Sequence, residues 1–155
     1  MSYISEIRKK VGHDPVFMPA SACAIIKDSK ILLQKREDTG TWALHGGSLE
    51  FHETFLDALK RETFEELGIE ILNPIMIGVY AGDNMHFIYP NKDEVYAVTV
   101  IYLVSEYKND FNLEYNEVLE VKWFDIDNLP NNINSPDVDG INDAIDYYKK
   151  NLRGD

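Results

Sequence analysis

Residues 95–104 read VYAVTVIYLV, an uncharged run that is apolar at both alternating sets of positions. A half-buried strand alternates apolar and polar side chains, whereas one apolar on both faces has to be covered on both sides. Val, Ile and Tyr also favour the pleated conformation over helix. The run therefore predicts the central strand of a sheet lying between two further layers.

The flanking segments supply those layers. Residues 3–11 place Ile4, Ile7 and Val11 at helical spacing, and Gly12 ends the pattern. FMPASACAIIKDSKILLQKRE, residues 17–37, predicts two strands around an Asp28-Ser29 turn. A short strand is expected at TWAL, before the glycine pair Gly46-Gly47. Residues 54–67 form the clearest helical pattern. Thr54 and Asp57 make a capping-box variant, and Leu56, Leu59, Thr63 and Leu67 share one stripe. Strands follow at IEILNPIMIGVYA, MHFIYP and EVKWFDI, with PNKDE as a turn and NLPNNINSP as a loop of turn formers. Residues 137–151 predict a last helix with Ile141, Ile145 and Tyr148 on one face. No repeat or linker divides the chain, so residues 1–155 are expected to form one domain of α/β class, a layered sandwich.

The helix at residues 54–67 ends in RETFEELG, which gathers Glu62, Glu65 and Glu66 just before a C-capping glycine. The helix dipole favours cations there, so each acid costs roughly 0.3–1 kcal/mol. Glu62 and Glu66 are in addition a like-charge pair one turn apart, costing roughly 0.2–0.5 kcal/mol more. On a helical wheel the three carboxylates fall within about 100° of one another, beside the apolar stripe. One face can thus bury against a sheet while its neighbour presents an all-oxygen donor set, suited to Mg²⁺ or Mn²⁺ and poorly suited to Zn²⁺. A solvated acidic face is the alternative meaning.

The preceding loop, GGSLEFHE, brings Gly46 and Gly47 close to Glu50 and Glu53, and paired glycines permit tight turning and close backbone approach. Read as one unit over residues 47–69, Gly47, Glu53, Arg61-Glu62, Glu65-Glu66 and Gly68-Ile69 resemble the Nudix box, G-x5-E-x7-R-E-U-x-E-E-x-G-U with U a bulky apolar residue. Thr63, β-branched, stands at the first U position, and His45 stands where many relatives have proline before the glycines. Trp42 and KWFDIDNLP are similar to further family landmarks. The resemblance implies a Nudix-type α/β/α sandwich with a central mixed β-sheet. It implies an enzyme that hydrolyses a nucleoside diphosphate linked to another moiety: a nucleotide sugar, a nucleoside triphosphate or a dinucleotide. Carried over by position, Glu62, Glu65 and Glu66 would ligate Mg²⁺, with Mn²⁺ as substitute, and Gly46 or Gly47 would add a backbone carbonyl. Glu53 would be a supporting acid or further ligand, and Arg61 would orient the acids, its alternative being a surface ion pair. Divalent ions would neutralise phosphate oxygens and activate water. Glu66 is the first choice of general base, with Glu117 and Glu120 as later candidates that also read as ordinary surface acids.

Lys35 and Arg36, at a strand end, are candidates to meet substrate phosphates, Arg36 the better because its fork can bind two oxygens. Tyr80, Asp83, His86 and Tyr89 occupy a segment that could line a nucleotide pocket, with structural packing as the alternative for the tyrosines. A formal net charge of −12 argues against long nucleic acid as a partner. No stretch reaches the ~18 apolar residues of a membrane helix. The charged N-terminal residues do not resemble a signal peptide, and the single cysteine, Cys23, sits in an apolar run, so a cytoplasmic protein with an inert buried thiol is expected. A homodimer is left open. Two other readings remain: a Nudix-fold regulator that binds nucleotide without turnover, and a calcium loop at residues 135–146. In that loop Ser135, Asp137, Asp139, Gly140 and Asp146 fall at EF-hand ligand and turn positions.

Overall fold

The run at 95–104 lies within an eleven-residue strand, Glu94–Val104, at the heart of a mixed sheet. The computed structural model describes residues 2–113 and 118–153. In chain order the elements are α1 (Tyr3–Val11), β1 (Val16–Lys27), β2 (Lys30–Arg36), β3 (Trp42–Ala43), β4 (His45–Ser48) and α2 (Phe55–Leu67). They continue as β5 (Glu70–Leu72), β6 (Ile75–Tyr80), β7 (His86–Ile88), β8 (Glu94–Val104), β9 (Glu106–Lys108), β10 (Val118–Asp125) and α3 (Val138–Asn151). The main sheet runs β10-β2-β1-β8-β6, with β3, β4 and β7 added to β2, β1 and β8. β1 and β8 are parallel and their other pairings antiparallel, which makes the sheet mixed, as expected. β5 and β9 form a separate two-stranded ribbon.

Strand alternation sorts the core into two layers. On one face Ala22, Ala24, Ile26, Ile101 and Leu103 pack with Ile141, Ala144, Ile145 and Tyr148 of α3. On the other, Cys23, Ile25, Val100, Tyr102 and Val104 pack with Leu59 and Leu67 of α2. Cys23 is fully buried, and that burial, followed by the charge of Glu66, pushes its thiol pKa up, so it is chemically quiet. α3 begins one residue later than expected, because residues 135–137 form a 3-10 turn with Pro136 near its start. No helix among the described residues is long and apolar enough to cross a membrane.

The glycine pair lies inside a strand, not in a turn: Gly46 and Gly47 pair with Ala22 and Ser21 of β1. Gly46 has φ 153°, and a Cβ there would overlap the Ser21 carbonyl oxygen. That neighbour is backbone of a central strand and cannot swing away. Gly46→Ala is therefore expected to destabilise the fold by roughly 3 kcal/mol, combining strain and overpacking, which urea denaturation would measure. An unchanged midpoint would contradict the tight β1–β4 approach.

Candidate active site

α2 is held at both ends. Thr54 Oγ1 accepts from Asp57 N–H at 3.0 Å while Asp57 Oδ2 accepts from Thr54 N–H at 3.0 Å, completing the capping box. Gly68 closes the helix in the left-handed conformation at φ 73°. Thr63, the polar member of the buried stripe, is satisfied by donating to Leu59 O at 2.9 Å. Burying this stripe against β1 and β4 fixes which way the adjacent acidic face points.

On that face Arg61 organises the carboxylates. Its Nε and Nη2 donate to both oxygens of Glu53 at 2.7 and 2.9 Å, and Nη2 also reaches Ser48 O at 3.2 Å. Its Nη1 donates to Glu62 at 2.8 Å and to Glu65 at 3.4 Å. Glu53 in turn accepts Glu50 N–H at 2.8 Å, and Glu50 accepts Tyr3 N–H of α1 at 3.0 Å. The hydrogen bond from Arg61 holds Glu53 below the usual carboxylate range, and the pairing with Glu53 raises Arg61 further above its own. Arg61 thus bridges Glu53 to Glu62 and Glu65.

The three helix carboxylates are not equivalent. Glu65 is 58% exposed and touches only the edge of the Arg61 fork. Glu62 lies against Gly47, where a Cβ would come within 2.5–2.9 Å of its carboxyl group. Burial, and then the charges of Glu66 and Glu65, push Glu62 up to about 7 against the opposing hydrogen bond from Arg61. Glu66 Oε2 is buried without a hydrogen-bond partner, and so are both ring nitrogens of the fully buried His45. His45 Nδ1 stands 3.4 Å from that oxygen, within ion-pairing range but short of a hydrogen bond. Such unsatisfied buried groups each cost roughly 1–3 kcal/mol.

No three acid, histidine or cysteine side chains among the described residues converge on one point, and Arg61 donates to both Glu62 and Glu65. The donor set nevertheless suits a hard divalent cation: crowded carboxylates, one orphaned buried oxygen, and a glycine that leaves room for them. Glu62, Glu66 and Glu65 are the residues that could hold it. Without such a cation Glu62 should burden the fold. Its folded-state pKa is about 7 and its ordinary value 4.5, so the folded state retains a proton that the unfolded chain releases. Stability then falls as pH rises from 4.5 to 7, and the full penalty is present above that window. Glu62→Gln, measured by thermal denaturation in EDTA, should gain roughly 2 kcal/mol over wild type at about pH 8 and almost nothing at about pH 4. Equal differences at both pH values would refute the coupling.

The acids line one end of an open cleft of about 1220 Å³. It runs past Gly46 and Gly47 to Arg36, Asp38, Tyr89 and Asp137, with Ile4 and Arg8 of α1 on its rim. Arg36 lines it, but its Nε and Nη2 already donate to both oxygens of Asp38 at 2.9 and 2.8 Å, and its guanidinium sits 5.8 Å from the Tyr89 ring centre. Lys35 points to the Trp42 ring and stands opposite the exposed Glu120 across β2 and β10; neither lines the cleft. Tyr80 faces α3, donating to Asp143 at 2.6 Å, and His86 pairs with Glu94 at 2.7 Å, so neither reaches the cleft. Asp83, in a short 3-10 turn, does not line it either. Glu117 lies outside the described residues.

The calcium loop is corrected by the structure. Asp139, Gly140 and Asp146 lie along the continuous helix α3 and cannot wrap a cation, while the partly buried Asp137 accepts Leu44 N–H at 3.0 Å and an Asn134 amide hydrogen at 3.2 Å. Burial raises the pKa of Asp137. Its place on the cleft wall, with Asp38, was not anticipated: the only sequence sign was an acid beside Pro136 at a helix start.

Comparison with known proteins agrees with this geometry. The NUDIX domain family model matches residues 17–143. An uncharacterized Nudix hydrolase, YvcI of Bacillus subtilis, is 28% identical over 83% of this chain and 77% of its own length. An ADP-ribose pyrophosphatase of Methanocaldococcus jannaschii is 31% identical over 68% of this chain and 60% of its own length. Other curated relatives are longer still, and the chain spans 42% of such a protein. The crystal structure of a MutT NUDIX hydrolase from Burkholderia pseudomallei superimposes with a TM-score of 0.72 at 25% identity, covering 83% of this chain and 98% of that one.

Proposed function

This chain belongs to the Nudix hydrolase family, and on that premise we propose that it is a pyrophosphohydrolase, dependent on Mg²⁺ or Mn²⁺, that cleaves a nucleoside diphosphate linked to a second moiety. The observation that carries the reading is the pairing of a crowded Glu62 with a Glu66 whose buried oxygen has no partner, both on the wall of an open cleft. A divalent cation held there supplies charge neutralisation of the phosphate oxygens and a more acidic water. The chain's own residues do the rest. Glu66 accepts the proton of the attacking water, a new P–O bond forms, and the anhydride oxygen departs with the electron pair of the broken bond. Arg61, clamped on Glu53, keeps Glu62 and Glu65 from splaying apart.

The cleft favours a substrate whose charge is confined to its diphosphate. Away from α2 the cations on the described cleft wall, Arg8 and Arg36, are paired with Asp93 and Asp38, and Asp137 adds a further acid. Additional phosphates there would meet carboxylates, whereas uncharged sugars and bases would meet hydrogen-bonding groups and the Tyr89 ring. The reading therefore prefers nucleotide sugars such as ADP-ribose over nucleoside triphosphates, and the similarity to an ADP-ribose pyrophosphatase supports it. A panel of both classes, assayed with Mg²⁺ and with Mn²⁺, tests this. The expected result is a kcat/KM at least about tenfold higher for a nucleotide sugar, a difference of ~1.4 kcal/mol. Triphosphates turned over faster would overturn the substrate preference. Tight binding without turnover across the panel would favour the regulator instead.

A further inference from the structure

His45 is fully buried, yet it carries two ring nitrogens without a partner at the point where Glu66 buries an oxygen without one. Most buried polar groups in a folded chain are satisfied, so an orphaned His45 Nδ1 standing 3.4 Å from an orphaned Glu66 Oε2 calls for an explanation. The ring belongs to β4, whose backbone is fixed by pairing with Cys23 of β1, and Glu66 belongs to α2, packed on the same strand. Leu44 and Gly46 line the cleft while His45 between them does not, so the imidazole lies behind the carboxylate and not among the ligands of a bound cation. Asp137, the other acid whose charge reaches His45, is already engaged by Leu44 N–H and Asn134. Glu66 is the acceptor left to it.

We propose that His45 is a positioning residue for Glu66: the imidazole donates its Nδ1–H to Glu66 Oε2 and thereby turns the other carboxylate oxygen toward the cleft. At 3.4 Å the two atoms are within reach of each other, and a turn of the ring and carboxylate into alignment completes the bond. Hydrogen bonds from behind commonly orient carboxylates that ligate metals, and their loss weakens metal affinity or activity about 10–100-fold. The inference rests on the catalytic reading above.

The test compares wild type with His45→Leu, which keeps bulk without a donor, and His45→Asn, whose amide nitrogen takes the place of Nδ1. Mn²⁺ binding is titrated by electron paramagnetic resonance without substrate, and the tautomer of His45 is read in the wild-type protein from nitrogen-15 NMR in EDTA. The expected results are an Nδ1–H tautomer, an Mn²⁺ affinity lowered about 10–100-fold in His45→Leu, and restoration to within about threefold in His45→Asn. With substrate, kcat should fall in His45→Leu while KM stays nearly unchanged. Wild-type Mn²⁺ affinity in a folded His45→Leu, or an Nε2–H tautomer in the wild type, would overturn the proposal. The tautomer decides the matter even if His45→Leu does not fold. Failure of the wild type itself to bind Mn²⁺ would overturn the metal-dependent reading, a different outcome from equal binding by wild type and variant.

Discussion

Glu66→Gln should lower kcat by roughly 10²–10⁴-fold, the range for losing a general base, and leave the overall fold intact. The substitution keeps the shape of the side chain and removes its charge and basicity. Glu66 packs beside Glu62 and buries one oxygen without a partner, so removing its charge also relieves repulsion. The thermal midpoint in EDTA is therefore expected to be unchanged or higher than that of wild type. Glu65, 58% exposed at the edge of the Arg61 fork, is expected to show the smaller loss of the two when changed to Gln. Single-turnover rates for both variants at saturating Mg²⁺ would rank them. Full activity in Glu66→Gln would remove it from the proton-transfer role.

Arg61→Lys is the second large effect. Lysine keeps the positive charge but cannot reproduce the two-pronged grip on Glu53 while also reaching Glu62, Glu65 and Ser48. Misplacing catalytic groups by about 1 Å can cost about 10²-fold, and kcat should fall by at least that much. Stability should change less, because the clamp is only partly buried, with Arg61 29% exposed, and such pairs contribute modestly. A variant with normal kcat and a large loss of stability would make Arg61 a structural residue and not an organiser of the acids.

Much of the scaffold was legible because the signals were local. The uncharged run of β8, the Asp28-Ser29 turn and the Thr54 capping box each report on a few neighbouring residues, and the structure realises all three. The spacing of Glu53, Arg61, Glu62 and Glu66 likewise encodes helix and loop geometry directly. What was not legible depended on strand parity and tertiary pairing. Met85 and Phe87 line the cleft while His86 between them turns away, a distinction set by register that residue type does not reveal. Arg36 read as a cation awaiting phosphate, but Asp38 two residues on folds back to neutralise it. Tyr80 was lost to the cleft because β6 delivers it to Asp143 on α3, a partner far along the chain. His45 stood out in sequence only as a departure before the glycine pair, and its burial behind Glu66 needed the β1–β4 pairing to appear.

The acidic face of α2 is proposed to be a cation-dependent phosphoanhydride hydrolase site. Its most direct test is hydrolysis of ADP-ribose in ¹⁸O-labelled water, with wild type and Glu66→Gln each run in Mg²⁺ and in EDTA. The expected result is cleavage to two monophosphates by wild type in Mg²⁺, with label in a product phosphate, and almost none in EDTA or in the variant. Equal turnover in EDTA, or in Glu66→Gln, would contradict it.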